Sequence, residues 1–308
     1  MENFNTFIFI VAYDNPKNTS EVLNCYINAH KNNATKLILV DNSNFDYIVN
    51  KSYFEFTDII RFKINDKCKS LALNKAIKFH CNSDSDFIIC LDNDVEFEAD
   101  FIIKYLNVLN YDSFDFYYGT SLNVIKPKGT SDLWYYRYLQ GSQKGKNDVD
   151  FNRTKKKMFY GCSFAFYFKQ WKNVNGFDKR FGPGSKHKLG SQESTFQKKL
   201  YKKGYRPLLI ENNAITHKPL VESYKINYVL KRVLRNGRTH GFETLINDRS
   251  LFKLKYQHKL LLNSYSSLLS FIRCKKDLKF KLCYLIGILQ SLNIYVFEKD
   301  KKSYYENN

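Results

Sequence analysis

Carboxylates follow three apolar segments in the first hundred residues of the chain. Asp14 comes after the first segment, Asp41 ends the second, and Asp92 and Asp94 follow a later one. If these segments are strands of one sheet, the carboxylates share an edge and repel one another unless a cation lies among them. Oxygen ligands of this kind suit Mg²⁺ or Mn²⁺. The pattern therefore predicts a divalent-cation site, although any one of these carboxylates could instead cap the next helix.

The segments around these carboxylates alternate between continuous apolar runs and amphipathic stretches. Continuous apolar runs are typical of strands that are buried on both faces of a sheet. The alternation predicts an α/β fold, with a mostly parallel central sheet flanked by helices and ligands beyond the carboxyl ends of the strands. The predicted strands are 7–13, 36–41, 59–64 and 86–92, and the predicted helices are 17–31, 70–81 and 99–109.

Other phosphate-binding and metal-binding motifs are missing from the sequence. A calcium loop that starts at Asp92 needs Gly at its sixth position and Glu at its twelfth, where this chain has Phe97 and Ile103. The sequence contains no P-loop and no G-x-G-x-x-G fingerprint, so ATPase and dinucleotide-binding functions lack support. The seven cysteines form no C-x-x-C pair, which indicates reduced thiols in a cytoplasmic protein.

Charge is distributed unevenly along the 308 residues. Residues 1–150 have 16 Lys and Arg against 20 Asp and Glu, a net charge of −4, whereas residues 151–308 have 33 against 10, a net charge of +23. A basic second half predicts an anionic partner: nucleic acid, an anionic membrane or a phosphate-bearing substrate.

The second half also contains the remaining predicted elements of the sheet. Residues 121–157 have mixed polarity and are predicted to form a loop-rich insertion. Further predicted elements are a strand at 158–168, a helix from 190 to 204, and strands at 206–210 and 213–217, the last ending in His217.

The C-terminal region is basic and partly apolar. Residues 228–238 are predicted to form a basic amphipathic helix that ends at Gly237. The apolar runs 260–272 and 282–297 follow, and the second is shorter than the roughly 20 apolar residues that a membrane span needs. Such helices either lie in a membrane interface or pack on the rest of the chain, and both alternatives stay open.

Several short motifs follow one another along the chain. They are Val-Ala-Tyr-Asp at 11–14, Leu-Val-Asp-Asn-Ser at 39–43, Ala72-x-Asn74, Leu-Asp-Asn-Asp at 91–94, Gly-Phe-Asp with a following Phe-Gly at 176–182, and Gln192-Glu193 with Leu200 and Gly204-Tyr205 downstream. Taken in this order, they resemble the motifs of the family 2 glycosyltransferases, which have the Rossmann-like GT-A fold. The resemblance covers about residues 5–220.

The resemblance implies a nucleotide-sugar donor and assigns residues to it. Tyr13 would pack on the nucleotide base, and Asp41 would accept a hydrogen bond from a base N–H group. Asp14 and Asn74 would also belong to the donor site. Asp92 would contact either the ribose or the metal.

The resemblance also implies a metal site and a catalytic base. Asp94 would bind the metal, and His217 would complete its ligands unless it only bonds to backbone. Glu193 stands where the family usually has the Asp of a Glu-Asp pair, which is the base, although an acidic residue there could simply stabilise a helix N-terminus. Asp178, in the Gly-Phe-Asp turn, is the competing carboxylate.

The sequence as a whole predicts an inverting, metal-dependent glycosyltransferase with Mn²⁺ or Mg²⁺ as cofactor. It would move a sugar from a UDP-, GDP- or dTDP-sugar to a hydroxyl of a glycan or lipid-linked acceptor, in the synthesis of a surface polysaccharide or glycolipid. A catalytic domain is predicted at 1–220 and a basic, aromatic-rich helical extension at 221–308. The protein is expected in the cytoplasm, with peripheral contact to the inner face of the membrane through 251–308.

Two alternatives remain at this stage. One is a nucleotidyltransferase with a similar sheet, although the first strand is not followed by a Gly-rich phosphate loop. The other is a basic nucleic-acid-binding protein, for which the sequence shows no recognition motif; no nucleic acid partner is expected.

Overall fold

The computed structural model describes most of the chain and divides it into two compact units. The first unit holds the described residues up to 186, apart from 133 and 135, together with 191–219; the second holds 133, 135, 187–190 and the described residues from 220 onward. The described residues are 5–13, 15–29, 35–44, 46, 48–66, 68–109, 114–124, 133, 135, 158–247 and 278–306.

A mixed sheet forms the centre of the first unit. Its described strands are β1 (Thr6–Ala12), β2 (Thr35–Asp41), β3 (Ile59–Lys63), β4 (Phe87–Leu91), β5 (Val95–Glu96), β6 (Phe116–Val124), β7 (Ser163–Tyr167) and β8 (Arg206–His217). They are ordered β3-β2-β1-β4-β7-β6-β8-β5. The four strands β1 to β4 are parallel to one another, β7 runs antiparallel to both β4 and β6, and β5 runs antiparallel to β8. This is the predicted α/β fold.

Helices cover the two faces of this sheet. The described helices of the first unit are α1 (Pro16–Ala29), α2 (Lys69–His80), α3 (Phe101–Leu109), α4 (Phe168–Asn173) and α5 (Gln192–Lys202), with a short 3₁₀ helix at Lys51–Glu55. Alternate residues of β1 enter different hydrophobic clusters, with Ile8 and Ile10 on one side and Phe7 and Phe9 on the other. Because both faces of this strand are buried, its sequence is a continuous apolar run.

The predicted elements of the first half agree closely with the structure, and the second half needs corrections. Residues 116–124 form β6, which enters the predicted loop-rich insertion; most of 125–157 lies outside the described residues. The strand predicted at 158–168 is confined to Ser163–Tyr167 because helix α4 begins at Phe168. The two strands predicted around 206–217 are one strand, β8, with Asn212 at φ 55° inside it and a register shift against β6.

Two helices that pack closely along their length form most of the described part of the second unit. They are α6 (Ile226–Asn247) and α7 (Leu278–Glu306), and a 3₁₀ helix at Val221–Tyr224 precedes them. The prediction that the first helix ends at Gly237 was wrong, since α6 continues for another ten residues. A Cβ atom on Gly237 would lie well under 3.0 Å from the backbone carbonyl oxygen of Tyr284 in α7. This glycine therefore serves the approach of two backbones and not the end of a helix.

A glycine on α7 also lies where the backbones of the two helices approach each other. A Cβ atom on Gly287 would lie under 3.0 Å from the backbone oxygen of Leu234 and the backbone nitrogen of Arg238. Gly241 differs, because its nearest neighbour is the side chain of Ser291. Backbone atoms cannot move aside as a flexible side chain can, so a side chain at Gly237 or Gly287 forces the helices apart.

Replacing Gly287 with alanine is expected to destabilise the helix pair. Alanine favours a helix by about 1 kcal/mol over glycine, but overpacking against the backbone of α6 costs about 1–3 kcal/mol. Urea unfolding followed by circular dichroism measures the difference. Gly190→Ala is the matched control, because a Cβ atom there approaches no atom more closely than 3.5 Å. A Gly287→Ala protein more stable than wild type would contradict the close approach.

Candidate active site

The carboxyl end of β4 carries the acidic motif predicted to bind a cation. Asp92, Asn93 and Asp94 follow Leu91 directly, and the backbone N–H of Asp92 donates a hydrogen bond to the carbonyl of Cys162, 3.0 Å away. The chain then enters the short strand β5, in which Val95 pairs with His217 of β8. This pairing brings a residue more than a hundred positions away next to the acidic motif.

Asp92, Asp94 and His217 form a candidate metal centre. Each offers one ligand atom, and these atoms lie within 4.8 Å of one another. The His217 Nε2 atom is 3.1 Å from the Asp94 Oδ2 atom. Burial would lower the pKa of His217, but the hydrogen bond and the charge of Asp94 outweigh it and the pKa lies above its usual value. Two carboxylates and an imidazole fit a divalent cation such as Mn²⁺.

Lys69 connects this centre to the predicted base. Its Nζ atom is 2.6 Å from the Asp92 Oδ1 atom and 3.0 Å from the Glu193 Oε1 atom. Burial would lower the pKa of Lys69, but the two carboxylates outweigh it and the pKa is raised well above its usual value. Lys69 therefore stays charged and holds both carboxylates in place.

Sequence reasoning missed Lys69. It is the first residue of α2, beside the Ala72-x-Asn74 motif, and the helix prediction began one residue later. A lysine at the N-terminus of a helix interacts unfavourably with the helix dipole, and this position was the signal in the sequence that could have pointed to Lys69. The ion pairs with Asp92 and Glu193 offset the unfavourable interaction.

Glu193 lies at the N-terminal end of α5 and faces Gly161. A Cβ atom on Gly161 would lie 2.7 Å from the Glu193 Cγ atom, so only glycine fits beneath this side chain. A small cavity beside it is lined by Lys69, Asp92, Gln192 and apolar residues of β1 and β4. The predicted base and Asp92, one residue of the candidate metal centre, thus border the same cavity.

Gln192, next to the predicted base, is 1% exposed. Neither of its side-chain amide atoms has a hydrogen-bond partner among the described residues. Its Oε1 atom lies against Gly182, where φ is +99° and a Cβ atom would collide with it. An amide that borders the cavity in this way can form hydrogen bonds with a polar ligand.

Asp41 lies apart from the metal centre, in an ion-pair network of its own. Its Oδ1 atom accepts hydrogen bonds from the amide and the hydroxyl of Ser43, at 3.0 and 2.6 Å, and its Oδ2 atom accepts one from Arg61 at 2.8 Å. Lys63 lies 3.4 Å away. Burial would raise the pKa of Asp41, but these donors and charges outweigh it and the pKa is lowered. An N–H group of a nucleotide base that bonded to Asp41 would therefore share these oxygen atoms with Ser43, Arg61 and Lys63.

Tyr13 and Asn74 differ in the contacts that they make. Burial raises the pKa of the Tyr13 phenol to about 12, against the opposing effects of Asn42 and Lys69. The Asn74 side chain accepts hydrogen bonds from the Phe177 backbone at 2.9 Å and the Trp171 ring at 3.2 Å, and it donates one to the Phe177 carbonyl at 2.7 Å. Asn74 thus fastens α2 to the Gly-Phe-Asp turn.

The two remaining predicted carboxylates have different outcomes. Asp14 lies outside the described residues. Asp178 is paired with Arg180 in the same turn, at 2.6 Å between its Oδ2 atom and the guanidinium. Burial would raise the pKa of Asp178, but Arg180 outweighs it and the pKa is lowered. This pairing holds Asp178 as part of the turn.

A comparison with protein families matches residues 7–173 to the model described as glycosyl transferase family 2. The chain belongs to this family. It is a glycosyltransferase enzyme with the GT-A fold, which selects the leading prediction over the nucleotidyltransferase and nucleic-acid-binding alternatives. No curated protein matches it significantly in sequence.

Solved structures of low sequence identity share this fold. A mannosyltransferase from Pyrobaculum calidifontis, in complex with GDP-Man and Mn²⁺, is 14% identical, with 94% of this chain and 87% of that chain covered at a TM-score of 0.56. Residues 1–349 of TarS from S. aureus, in complex with UDP-GlcNAc, are 10% identical, and the match covers 97% of this chain and 92% of that chain at a TM-score of 0.51. GalNAc-T7 with UDP, GalNAc and Mn²⁺ is 14% identical, and the match covers 79% of this chain and 51% of that chain at a TM-score of 0.52.

Replacing Lys69 with methionine is expected to destabilise the first unit by about 3–5 kcal/mol, because it leaves two partly buried carboxylates without their cation. Chemical denaturation measures this loss. Adding Glu193→Gln should recover part of it, since one of the unpaired charges is then gone. Lys172→Met, which breaks an exposed ion pair with Asp84, is the control and should cost less than about 1 kcal/mol. Equal losses in both lysine variants would contradict the bridging role.

Proposed function

We propose that this enzyme transfers a sugar, with inversion, from a nucleotide-diphosphate donor to a hydroxyl group of a glycan or lipid-linked acceptor. The observation that carries the proposal is that Asp92, at the carboxyl end of β4, belongs to the cluster with Asp94 and His217 and is joined to Glu193 by Lys69. In open α/β sheets ligands bind beyond this end of the strands. A cation site and a carboxylate next to it are the two parts that the reaction requires.

The donor is proposed to be a UDP-, GDP- or dTDP-sugar. GDP-Man and UDP-GlcNAc in the complexes of the similar structures support this class of donor. Asp94, Asp92 and His217 would hold Mn²⁺ or Mg²⁺, and the bound cation would stabilise the negative charge that develops on the departing diphosphate. Mn²⁺ in two of those structures supports the proposal of this metal. Tyr13, with its ring partly buried, is proposed to pack on the base, and the other donor residues, Asp14, Asp41 and Asn74, remain predictions.

Glu193 is proposed to act as the base. Its carboxylate takes the proton of the acceptor hydroxyl while the oxygen forms a bond to the anomeric carbon. The bond from that carbon to the diphosphate breaks at the same time, and its electron pair leaves with the diphosphate. Attack from the face opposite the leaving group inverts the anomeric configuration. Lys69 keeps the base next to Asp92 and so aligns it with the donor site.

The basic part of the chain supports a proposal for the class of acceptor and for the location of the enzyme. Residues 1–220 are proposed as the catalytic domain and 221–308 as an extension that brings the enzyme to a membrane carrying lipid-linked or surface glycans. None of the described helices has both the length and the apolar content of a membrane span. Contact with a membrane would therefore be peripheral in the described part of the chain.

A thermal-shift screen of UDP-, GDP- and dTDP-sugars with Mn²⁺ tests the donor and the metal. The correct donor at 100 times its dissociation constant should stabilise the protein by about 2.7 kcal/mol. Asp94→Ala should remove the Mn²⁺-dependent part of this shift, because the Asp94 carboxylate would hold the cation that binds the donor phosphates. Asp84→Ala, which alters an exposed carboxylate, should leave the shift unchanged. An undiminished shift in excess EDTA would rule out the metal-dependent mode of binding.

Glu193→Gln should lower the turnover number for donor hydrolysis by about 10²–10⁴-fold and leave donor affinity nearly unchanged, because the base acts on the acceptor and not on the diphosphate. Glu193→Asp should also lose activity, since the carboxylate then sits about 1 Å too far away. Turnover and donor binding are measured separately with the donor found in the screen. If Glu193→Gln keeps wild-type turnover while Asp178→Asn is inactive, Asp178 is the base.

A further inference from the structure

Helix α7 has two faces of different character, and the first is used inside the second unit. Phe280, Gly287 and Ser291 are buried and recur at near-helical spacing along this face. Gly287 and Ser291 contact the backbone and the glycines of α6. This face explains why the helix needs small residues.

The opposite face of α7 is apolar and exposed. It comprises Leu282, Ile286, Leu289, Leu292 and Val296, which we call the α7 stripe. Their side chains are 49%, 39%, 62%, 42% and 56% exposed, respectively. The spacings of 4, 3, 3 and 4 residues place them along one side of the helix, over a length of about 20 Å. Single exposed apolar residues are ordinary, but a continuous row of them marks an interaction surface.

Charge around the stripe indicates what this surface contacts. Residues 282–297 contain no charged residue. Lys279 and Lys281 precede them, and Lys299, Lys301 and Lys302 follow together with Glu298 and Asp300, so the flanking residues 279–281 and 298–302 have five lysines against two acidic residues. Residues 220–308 as a whole have 17 Lys and Arg against 7 Asp and Glu, a net charge of +10. An apolar row between lysines is the pattern of a helix that lies in a membrane interface with its cations at anionic headgroups.

We propose that the α7 stripe is the surface through which this protein binds an anionic membrane, with α7 lying in the plane of the interface. The net charge of +19 on the chain opposes a second copy as the occupant, because like charges would meet around the stripe. The inference rests on the membrane location in the proposed function and assigns it to one helix face. It requires neither a donor nor a metal.

Vesicle flotation with the full chain tests the proposal. The vesicles contain phosphatidylcholine alone or with 30% phosphatidylglycerol, and neither donor nor metal is added. Wild type should float with the anionic vesicles and less so in high salt. Leu289→Gln/Leu292→Gln should lower the partition coefficient by about tenfold or more, because burying even one leucine side chain is worth that much. Ile103→Gln, at a residue of α3 that is 42% exposed, is the matched control and should bind as wild type does.

Other outcomes would overturn the proposal. Undiminished binding of the double variant would show that the protein binds the membrane through charge alone or through residues 251–277. A wild-type dimer in light scattering that the double variant converts to a monomer would make a second copy the occupant. Circular dichroism confirms that the variants are folded. Donor hydrolysis in the absence of vesicles should stay unchanged in the double variant, so failure of membrane binding and failure of the proposed reaction are separate results.

Discussion

Lys69 joins two carboxylates that would otherwise repel each other at the centre of the candidate active site. Asp92 follows β4, Glu193 begins α5, and the lysine begins α2, so one ammonium group connects three elements. Clustered carboxylates in a partly buried site are stable only with a positive charge among them. A cation at the candidate metal centre could satisfy Asp92, Asp94 and His217, but Glu193 is not part of that cluster and its ion pair is with Lys69. The placement of the proposed base next to the candidate metal centre thus follows from this contact.

The order of the strands brings these groups together. Four parallel strands place the end of β4 at the edge where ligands bind, and β8 then returns so that its last residue, His217, pairs beside Asp94. Glycine supports the same region, because Gly161 leaves room for the Glu193 side chain. Asn74 lies outside the cluster of candidate metal ligands and fastens α2 to the turn that carries Asp178. Helix α2 is therefore held by the contacts of Lys69 at its start and by those of Asn74 near its middle.

The second unit is organised by a different constraint. The glycines of α6 and α7 allow backbone contact beside an apolar cluster that contains Phe280 and Val233, and together they bury one side of α7. The apolar residues of the α7 stripe lie on the opposite side of the helix and are exposed. Exposing a second apolar face of a helix to water is unfavourable, so another surface is expected to cover the exposed face of α7. The basic residues near the stripe favour an anionic lipid surface as that partner.

The sequence by itself determined the α/β fold and the family, and it named the residues that the structure gathers into a candidate metal centre. Burial on both faces makes β1, β2 and β4 continuous apolar runs, and Asp92, Asp94 and His217 lie at the strand ends beyond which ligands bind in such sheets. Tertiary structure decided what no local pattern contains. Gly237 resembles a helix end because glycine lacks a side chain, and only the neighbouring helix shows that the reason is backbone contact. Asp41 is predicted to bind the donor, and only the tertiary structure shows that Arg61 and Lys63 of the next strand also pair with it. Lys69 could not be singled out because its partners lie 23 and 124 residues away, and a sequence does not show which distant charges a fold brings to one lysine.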